Sequence, residues 1–162
     1  MATATHHLSS YDPSSVPSGA GRRFGLVVSE WNHEITDALR KGAIDTLLKH
    51  EVKENDIIQV WVPGSFELPS GAQFLIEQQR LDGVICLGSI IRGETPHFEY
   101  VCHGCTQGIM EVGLKASLPV IFGVLTDDTM QQARDRSGGV HGNKGVDCAV
   151  AVLKMAALKS GH

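Results

Sequence analysis

The chain has little of several features that would place it in a special class of protein. It carries four cysteines in 162 residues, and no apolar run approaches the ~20 residues that a membrane span needs. It also lacks an excess of positive charge, since 14 Lys and Arg stand against 18 Asp and Glu, for a net charge of −4. These shortages disfavour a disulfide framework, a membrane protein and broad electrostatic binding to nucleic acid. With no secretory signal pattern at the N-terminus, they predict a reduced, cytoplasmic protein.

Familiar nucleotide-binding and hydrolase motifs are missing as well. The sequence has no G-x-x-x-x-G-K-[ST], no G-x-G-x-x-G after its first apolar run and no G-x-S-x-G. These gaps make an NTPase, a dinucleotide-dependent oxidoreductase or an α/β-hydrolase less favoured.

The first 22 residues differ in composition from the rest of the chain. Residues 1–22 are rich in Ser, Ala, Pro and Gly, whereas residues 23–162 contain regular apolar patterns. We therefore predict an N-terminal arm followed by one domain, whose length is enough for a single hydrophobic core. On composition alone, the arm is typical of a flexible tail.

Four apolar runs alternate with helical patterns along the domain. The runs predict strands, and they lack the period-two alternation of a half-exposed sheet, so both faces of the sheet should be covered. We predict an α/β fold, a three-layer α/β/α sandwich around a four-stranded, parallel, flavodoxin-like sheet. The predicted strands are 24–29, 57–62, 83–88 and 119–125, and the predicted helices are 33–50, 68–79, 96–115, 128–136 and 146–159.

Parallel sheets bind ligands at the carboxyl ends of their strands, so the segments that follow each strand are the candidate site. Trp31 follows the first strand, where it would either stack on a flat ring or pack on its own helix. The amides of residues 65–67 follow the second strand at a helix start, a place that binds anions but also occurs in ordinary turns. After the third strand, Thr95 is predicted to cap a helix with Pro96 at its first position.

The segment after the third strand is the richest in candidate chemistry. The amides of residues 93–95 and the Thr95 hydroxyl are placed to bind a phosphate at a helix start. His97 lies in the first turn, where the helix dipole disfavours the imidazolium and a neutral imidazole can move protons. Four cations are candidates to neutralise the anion: Arg92, Arg134, Arg136 and Lys144.

Cys102 and Cys105 form a CxxC pair inside a predicted helix, with no second pair of ligands at a suitable spacing. A redox or zinc role is therefore disfavoured, and no metal site is predicted. Cys86 and Cys148 are predicted to be small buried residues.

Taken together, these segments resemble the lumazine synthase family over about residues 24–158. The resemblance rests on five segments in order, whose combination is far more specific than any one of them. They are Trp31-Asn32, Val62-Pro-Gly-Ser-Phe-Glu67, Leu87-Gly-Ser-Ile-Ile-Arg-Gly-Glu-Thr-Pro-His97, Pro119-Val-Ile-Phe-Gly123 and Gly142-Asn-Lys-Gly145.

The resemblance implies a transferase of riboflavin biosynthesis that condenses 5-amino-6-(D-ribitylamino)uracil with 3,4-dihydroxy-2-butanone 4-phosphate. The product is 6,7-dimethyl-8-ribityllumazine, released with phosphate and water, and no cofactor or metal takes part. The resemblance also implies a homo-oligomer, either a pentamer or a sixty-subunit shell, with active sites between adjacent subunits. The short segment 137–144 favours the shell, the arm is expected to add a strand to a neighbour's sheet, and riboflavin synthase is a candidate partner.

The resemblance assigns roles to individual residues. His97 would transfer protons, and Glu94 and Thr95 would hold the phosphate through their amides, together with Arg136. Phe122 and Arg136 are expected to come from the neighbouring subunit. The pyrimidinedione and its ribityl chain would contact Trp31, Asn32, Ser65, Phe66, Glu67, Ser89, Ile90, Ile91, Phe122 and Lys144.

Three positions depart from the common family pattern. Trp31 stands where Phe is usual, Glu94 stands where a small residue is usual, and Val140-His141 replaces a segment that is often basic. The last change leaves the phosphate dependent on Arg136. Two alternatives to an enzyme therefore stay open, a carrier of flavin or lumazine and a purely structural shell, although the presence of His97 favours the enzyme.

Overall fold

The computed structural model of the chain describes residues 7–161, which form a main sheet, a small hairpin and the helices around them. The strands are β1 (Phe24–Ser29), β2 (Ile57–Val62), β3 (Gly83–Ile91), β4 (Val120–Asp127), β5 (Ser137–Gly139) and β6 (Gly142–Asn143). The helices are α1 (His33–Lys49), α2 (Leu68–Gln78), α3 (His97–Ala116), α4 (Met130–Arg136) and α5 (Lys144–Lys159), with 3₁₀ turns at Pro13–Ser15, Glu54–Asp56 and Ser65–Glu67. No helix within 7–161 is both long and apolar enough to cross a membrane.

The main sheet has the strand order β2-β1-β3-β4, and all neighbouring strands run parallel. In the centre, Val28 of β1 lies opposite Trp61 of β2 on one side and Leu87 of β3 on the other. This is the doubly wound order of flavodoxin-like folds, in which the winding of the chain reverses beside β1. The predicted α/β sandwich is confirmed.

Two hydrophobic clusters cover the opposite faces of the sheet. Because successive side chains of a strand point to opposite faces, Leu26 and Leu87 pack with α1 and α5, whereas Val27 and Cys86 pack with α2 and α3. Cys86 and Cys148 are buried, as predicted. The helical pattern predicted for α1 is also confirmed, since its apolar stripe is buried at Ile35, Leu39, Ala43 and Leu47.

Strand β2 departs from the prediction that every strand is covered on both faces. Gln59 and Trp61 are exposed, while Ile57 and Val62 at the ends of the strand are buried. The reason is position: β2 lies at the edge of the sheet and pairs with β1 alone. The prediction holds for β1, of which every residue is buried.

Several boundaries also differ from the predicted ones. β3 and β4 continue to Ile91 and Asp127, because the two strands pair with each other to their ends. α4 begins at Met130, after a capping box in which the Thr129 hydroxyl accepts a hydrogen bond from the Gln132 N–H. Residues 137–143, for which no helix or strand was predicted, form the β5–β6 hairpin, to which glycines at positive φ contribute at positions 138 and 142.

The described part of the N-terminal arm lies against the layer formed by α1 and α5. The Tyr11 hydroxyl is 3.2 Å from His50 Nε2, and the Gly19 N–H donates to the His50 carbonyl at 2.7 Å. Val16 is buried in the cluster on this face. The arm thus contacts its own domain, and its addition to a neighbour's sheet stays a prediction. The first six residues of the arm lie outside the described residues.

Candidate functional site

A cavity of about 540 Å³ opens at the carboxyl ends of β1, β2 and β3. Its volume is that of a pocket for a small-molecule ligand. Most of the predicted site residues meet there, as expected for strand ends of a parallel sheet. The cavity is lined by Trp31, Gly64, Ser65, Phe66, Glu67, Ser89, Ile90, Ile91, Gly93, Thr95, His97, Phe98, Tyr100 and Val101. The predicted residues that do not line it are Asn32, Glu94, Phe122, Arg136 and Lys144.

The loop after β1 places Trp31 at the rim of the cavity. The Glu30 N–H donates to the Val62 carbonyl at 2.8 Å, and the Trp31 N–H donates to the Pro63 carbonyl at 3.3 Å. These bonds tie the loop to the end of β2. The Trp31 side chain is 71% exposed, more than packing on its own helix would leave, so its ring is available to a ligand.

Asn32 supports this loop from behind the cavity wall. Its φ of 57° and ψ of 48° lie in the left-handed region, which Asn tolerates better than most residues. The Asn32 Nδ2 donates to the Ser89 carbonyl at 2.9 Å, which links the loops after β1 and β3. The structure therefore gives Asn32 a structural contact, and its predicted contact with a ligand stays a prediction.

Between β2 and α2, the chain forms a 3₁₀ turn at Ser65–Glu67 instead of entering the helix directly. The Glu67 N–H donates to the Gly64 carbonyl at 3.2 Å. One of the three amides that we expected to face the crevice is therefore already bonded within the turn. The side chains of the turn, rather than all of its amides, form this part of the cavity.

Two buried hydroxyl groups of the cavity wall have no hydrogen-bond partner among residues 7–161. They belong to Ser65 and Ser89, which are 6% and 1% exposed. Buried polar groups nearly always have a partner, so an unpartnered one needs an explanation. Both residues line the cavity, so their unpartnered hydroxyl groups lie next to the space that a polar ligand would occupy.

Two glycines make room for this wall. A Cβ at Gly88 would lie 2.6 Å from the Ser65 hydroxyl, and a Cβ at Gly104 would lie 2.6 Å from the Phe66 ring. Both distances are too short for real contacts, so a larger residue at either position would displace its neighbour. β3 and α3 thus shape the cavity through positions that carry no side chain.

Helix α3 begins at His97, one residue later than predicted. The Pro96 carbonyl accepts hydrogen bonds from the Glu99 N–H at 3.0 Å and the Tyr100 N–H at 3.4 Å. Within the described chain no side chain caps this helix start, so the predicted Thr95 cap is wrong. The reason is that Pro96, with φ of −62°, already occupies the position before the helix. Thr95 and His97 nevertheless both line the cavity.

Arg92 fastens the loop after β3 to the first turn of α3. Its Nη1 donates to Glu99 Oε1, its Nε donates to Asp128 Oδ1 at 2.7 Å, and its guanidinium carbon lies 4.2 Å from the centroid of the Phe98 ring. The hydrogen bond from Arg92 lowers the pKa of Glu99 below its ordinary value. Arg92 is thus engaged with carboxylates of its own chain rather than presented to an anion.

Two further candidate cations are engaged in the same way. Arg134 makes hydrogen bonds of 2.8 and 3.2 Å with the two carboxylate oxygens of Glu34. Lys144 Nζ lies 2.6 Å from Asp147 Oδ2. Among the candidate cations, Arg136 therefore has the guanidinium that is least engaged with carboxylates of its own chain, and it is the best candidate to bind an anion.

Phe122 and Arg136 lie away from the cavity of their own chain. Phe122 is opposite Cys86 in the sheet, about 16 Å along β4 from the strand end at Asp127. Arg136 ends α4 and donates its Nη1 hydrogen to the Gln132 carbonyl at 3.0 Å. A single chain does not bring these two residues to the cavity.

Four lining residues have no role in the sequence-based site: Gly64, Phe98, Tyr100 and Val101. Helical spacing is a signal that would have found Val101, because it lies four residues after His97 and hence on the same face of α3. No sequence signal marks Gly64 as lining the cavity, although it lies in a strand-end segment.

The CxxC pair lies on α3, as predicted. Burial raises the pKa of the Cys105 thiol to about 12 and raises that of Cys102 above its ordinary value. Protonated thiols are poor nucleophiles, so these cysteines contribute packing. Across residues 7–161, no cluster of three or more His, Cys, Asp and Glu side chains is arranged to hold a metal ion.

Comparison with known proteins gives one consistent result. The sequence profile of the family described as 6,7-dimethyl-8-ribityllumazine synthase matches residues 21–160. A protein of that name from Porphyromonas gingivalis is 55% identical over 159 residues, which cover 98% of this chain and 99% of the relative. Proteins of the same name from Phocaeicola vulgatus and Parabacteroides distasonis are 52% and 55% identical. These alignments cover 98% and 96% of this chain, and 95% and 97% of the relatives.

Proposed function

The chain belongs to the 6,7-dimethyl-8-ribityllumazine synthase family, and from that premise we propose how its cavity carries out the reaction. The enzyme condenses 5-amino-6-(D-ribitylamino)uracil with 3,4-dihydroxy-2-butanone 4-phosphate to give 6,7-dimethyl-8-ribityllumazine, phosphate and water. An amine adds to a ketone, phosphate leaves and a ring closes. These steps need proton transfers and orientation, and none of them needs a covalent nucleophile.

The observation that carries the assignment of the ring site is the pair of unpartnered hydroxyls of Ser65 and Ser89. A pyrimidinedione offers carbonyl oxygens and N–H groups that would satisfy both. The exposed Trp31 ring at the rim is available to stack on the flat heterocycle. Phe66 and the backbone of Ile90 and Ile91 would enclose the ring, and the Glu67 carboxylate would accept hydrogen bonds from ribityl hydroxyls.

The start of α3 supports a phosphate site beside Thr95. A helix leaves its first N–H groups without internal partners, and its dipole favours anions there. The Glu94 side chain is exposed and outside the cavity lining, so only its backbone would serve. His97, the first residue of the helix, lines the cavity next to this site, and we assign the proton transfers to its imidazole.

A neighbouring subunit would contribute Phe122 and Arg136 to the site, and Lys144 would complete it. Neither Phe122 nor Arg136 lines the cavity of its own chain. Within one chain, α3 also carries exposed apolar side chains: Tyr100 and Leu114 are each 74% exposed, and Met110 is 60% exposed. Apolar exposure on this scale is typical of a surface that a partner covers.

We therefore propose a homo-oligomer, a pentamer or a sixty-subunit shell built from such pentamers, with residues 1–22 as an arm on the single domain 23–162. Sedimentation velocity at micromolar concentration measures the assembly directly, and a monomer there would contradict the shared site. Riboflavin synthase as a partner stays a prediction.

The activity test mixes the purified protein with the two substrates and follows the lumazine chromophore against a reaction without enzyme. Formation well above the uncatalysed rate, and dependent on His97, supports the proposed site. A protein that binds lumazine without turning over the substrates would instead support the carrier.

A further inference from the structure

Asp127, at the end of β4, is a buried carboxylate that the proposed reaction does not use. Its side chain is 8% exposed, and its Oδ2 has no hydrogen-bond partner within the described part of the chain. The other oxygen, Oδ1, lies 3.9 Å from Nη1 of Arg136. That same Nη1 donates to the Gln132 carbonyl at 3.0 Å, so the guanidinium is held beside the carboxylate without a close bond to it.

The charges around Asp127 come from each element packed against it. Arg136 and Asp135 face it from α4, and Asp128 follows it in the chain. From the end of β3, Arg92 donates its backbone N–H to the Asp127 carbonyl at 2.9 Å, while its side chain is paired with Asp128. Burial raises the pKa of Asp127, Arg136 opposes that rise, and Asp128 and Asp135 add to it. Arg136 is thus the group that favours the ionised form.

We infer that Asp127 is a positioning residue that competes with phosphate for Arg136, so that anion binding at this arginine is coupled to proton uptake by Asp127. The inference rests on the proposed phosphate role of Arg136. An ionised Asp127 partly neutralises the guanidinium and repels a second anion. Once phosphate draws the guanidinium away, the carboxylate loses the cation that favours its charge and takes a proton from solvent.

The coupling has a consequence for the reaction itself. By linkage, a proton on Asp127 must strengthen anion binding by the same factor by which the anion favours the proton. When inorganic phosphate has formed, ionisation of Asp127 returns the proton to solvent, and the carboxylate recovers Arg136. Asp127 would therefore weaken retention of the phosphate product.

The test measures sulfate binding to the assembled protein by calorimetry, because sulfate keeps its charge over the range from about pH 8 to about pH 5. Asp127→Asn should bind sulfate roughly fivefold or more tightly than the wild type at the upper pH, as one removed competing charge predicts. The wild type should approach the variant on acidification. All other groups are the same in the two proteins, so the ratio of their dissociation constants isolates Asp127.

Asp135→Asn is the matched control, since it removes a negative charge from the same helix as Arg136 without removing its ion-pair partner. A gain as large as that of Asp127→Asn would reduce the effect to general charge and overturn the inference. Calorimetry of the wild type in two buffers of different ionisation enthalpy should also report proton uptake on sulfate binding. Absence of that uptake would overturn the inference even if Asp127→Asn does not fold.

Arg136→Gln separates this inference from the function on which it rests. If the glutamine variant binds sulfate as the wild type does, the phosphate role of Arg136 is wrong. If Arg136→Gln weakens binding while Asp127→Asn leaves it unchanged, the phosphate role stands and the competition by Asp127 is wrong.

Discussion

Helices α5 and α3 cover opposite faces of the same sheet, yet their own chain buries them to very different degrees. α5 has 16 residues, of which eight are buried, whereas α3 has 20 residues and buries only Cys105 and Ile109. The α5 layer is complete within one chain. The α3 layer is not, and the cavity lies at the start of that helix. Both faces of the sheet carry a hydrophobic cluster, but the site is built on the face that a neighbour is proposed to cover.

The largest expected effect is the loss of stability caused by truncating a buried side chain of α5. Leu153 on α5 is 1% exposed, so Leu153→Ala should lower the free energy of unfolding by about 2–5 kcal/mol. Leu158→Ala is the matched control on the same helix, because Leu158 is 68% exposed and should change stability by less than about 0.5 kcal/mol. Denaturant unfolding measures both. Equal losses would show that α5 is not anchored by its buried face.

At the start of α3, the expected loss is of rate and not of stability. His97→Ala should slow turnover by roughly 10–10³-fold and leave the assembly intact, because general acid–base groups contribute on about this scale. His103→Ala is the control, since His103 is exposed on the same helix and does not line the cavity. Steady-state kinetics on both variants decides the matter: an unchanged rate for His97→Ala removes the imidazole from the mechanism.

Farther along α3, the effect should fall on assembly. Leu114→Asp puts a charge on an apolar surface that is 74% exposed in the single chain, and it should dissociate the oligomer while the circular dichroism spectrum stays that of a folded α/β protein. Leu158→Asp makes the same change on α5. Sedimentation velocity measures the assembly of both variants. If Leu158→Asp dissociated the oligomer and Leu114→Asp did not, the proposed interface would lie on α5 and not on α3.

Part of the fold and of the candidate site could be predicted from the sequence, and part could not. β1, β2 and the apolar stripe of α1 follow from local patterns, because apolar runs end where turn residues begin. The segments that follow the strands located the cavity, although β3 and β4 continue beyond their predicted ends. The left-handed conformation of Asn32 and the unpartnered hydroxyls of Ser65 and Ser89 could not be predicted from the sequence, because they depend on what the rest of the fold places around each group. The Thr95 cap failed for a local reason, since the adjoining Pro96 takes the position before the helix.

The smallest expected effects compare a carboxylate on the completed layer with one at the strand ends. On α1, a hydrogen bond from Lys41 lowers the pKa of Asp37, and Arg40 lowers it further. A carboxyl with a lowered pKa stabilises the fold above its ordinary pKa, and this contribution disappears as the pH falls through the lowered value. Asp37→Asn should therefore destabilise the fold at neutral pH by less than about 1 kcal/mol and reduce its sensitivity to acid.

Asp127 should behave in the opposite sense, because burial raises its pKa and its ionised form costs stability at neutral pH. Asp127→Asn should then leave the unfolding midpoint at neutral pH unchanged or higher, whereas Asp37→Asn lowers it. Thermal unfolding of both variants at neutral and acidic pH measures the two signs. A loss of stability in Asp127→Asn as large as that in Asp37→Asn would mean that the ion pair with Arg136 stabilises the fold. An opposite sign would fit a carboxylate kept at the strand ends for its effect on Arg136 and not for stability.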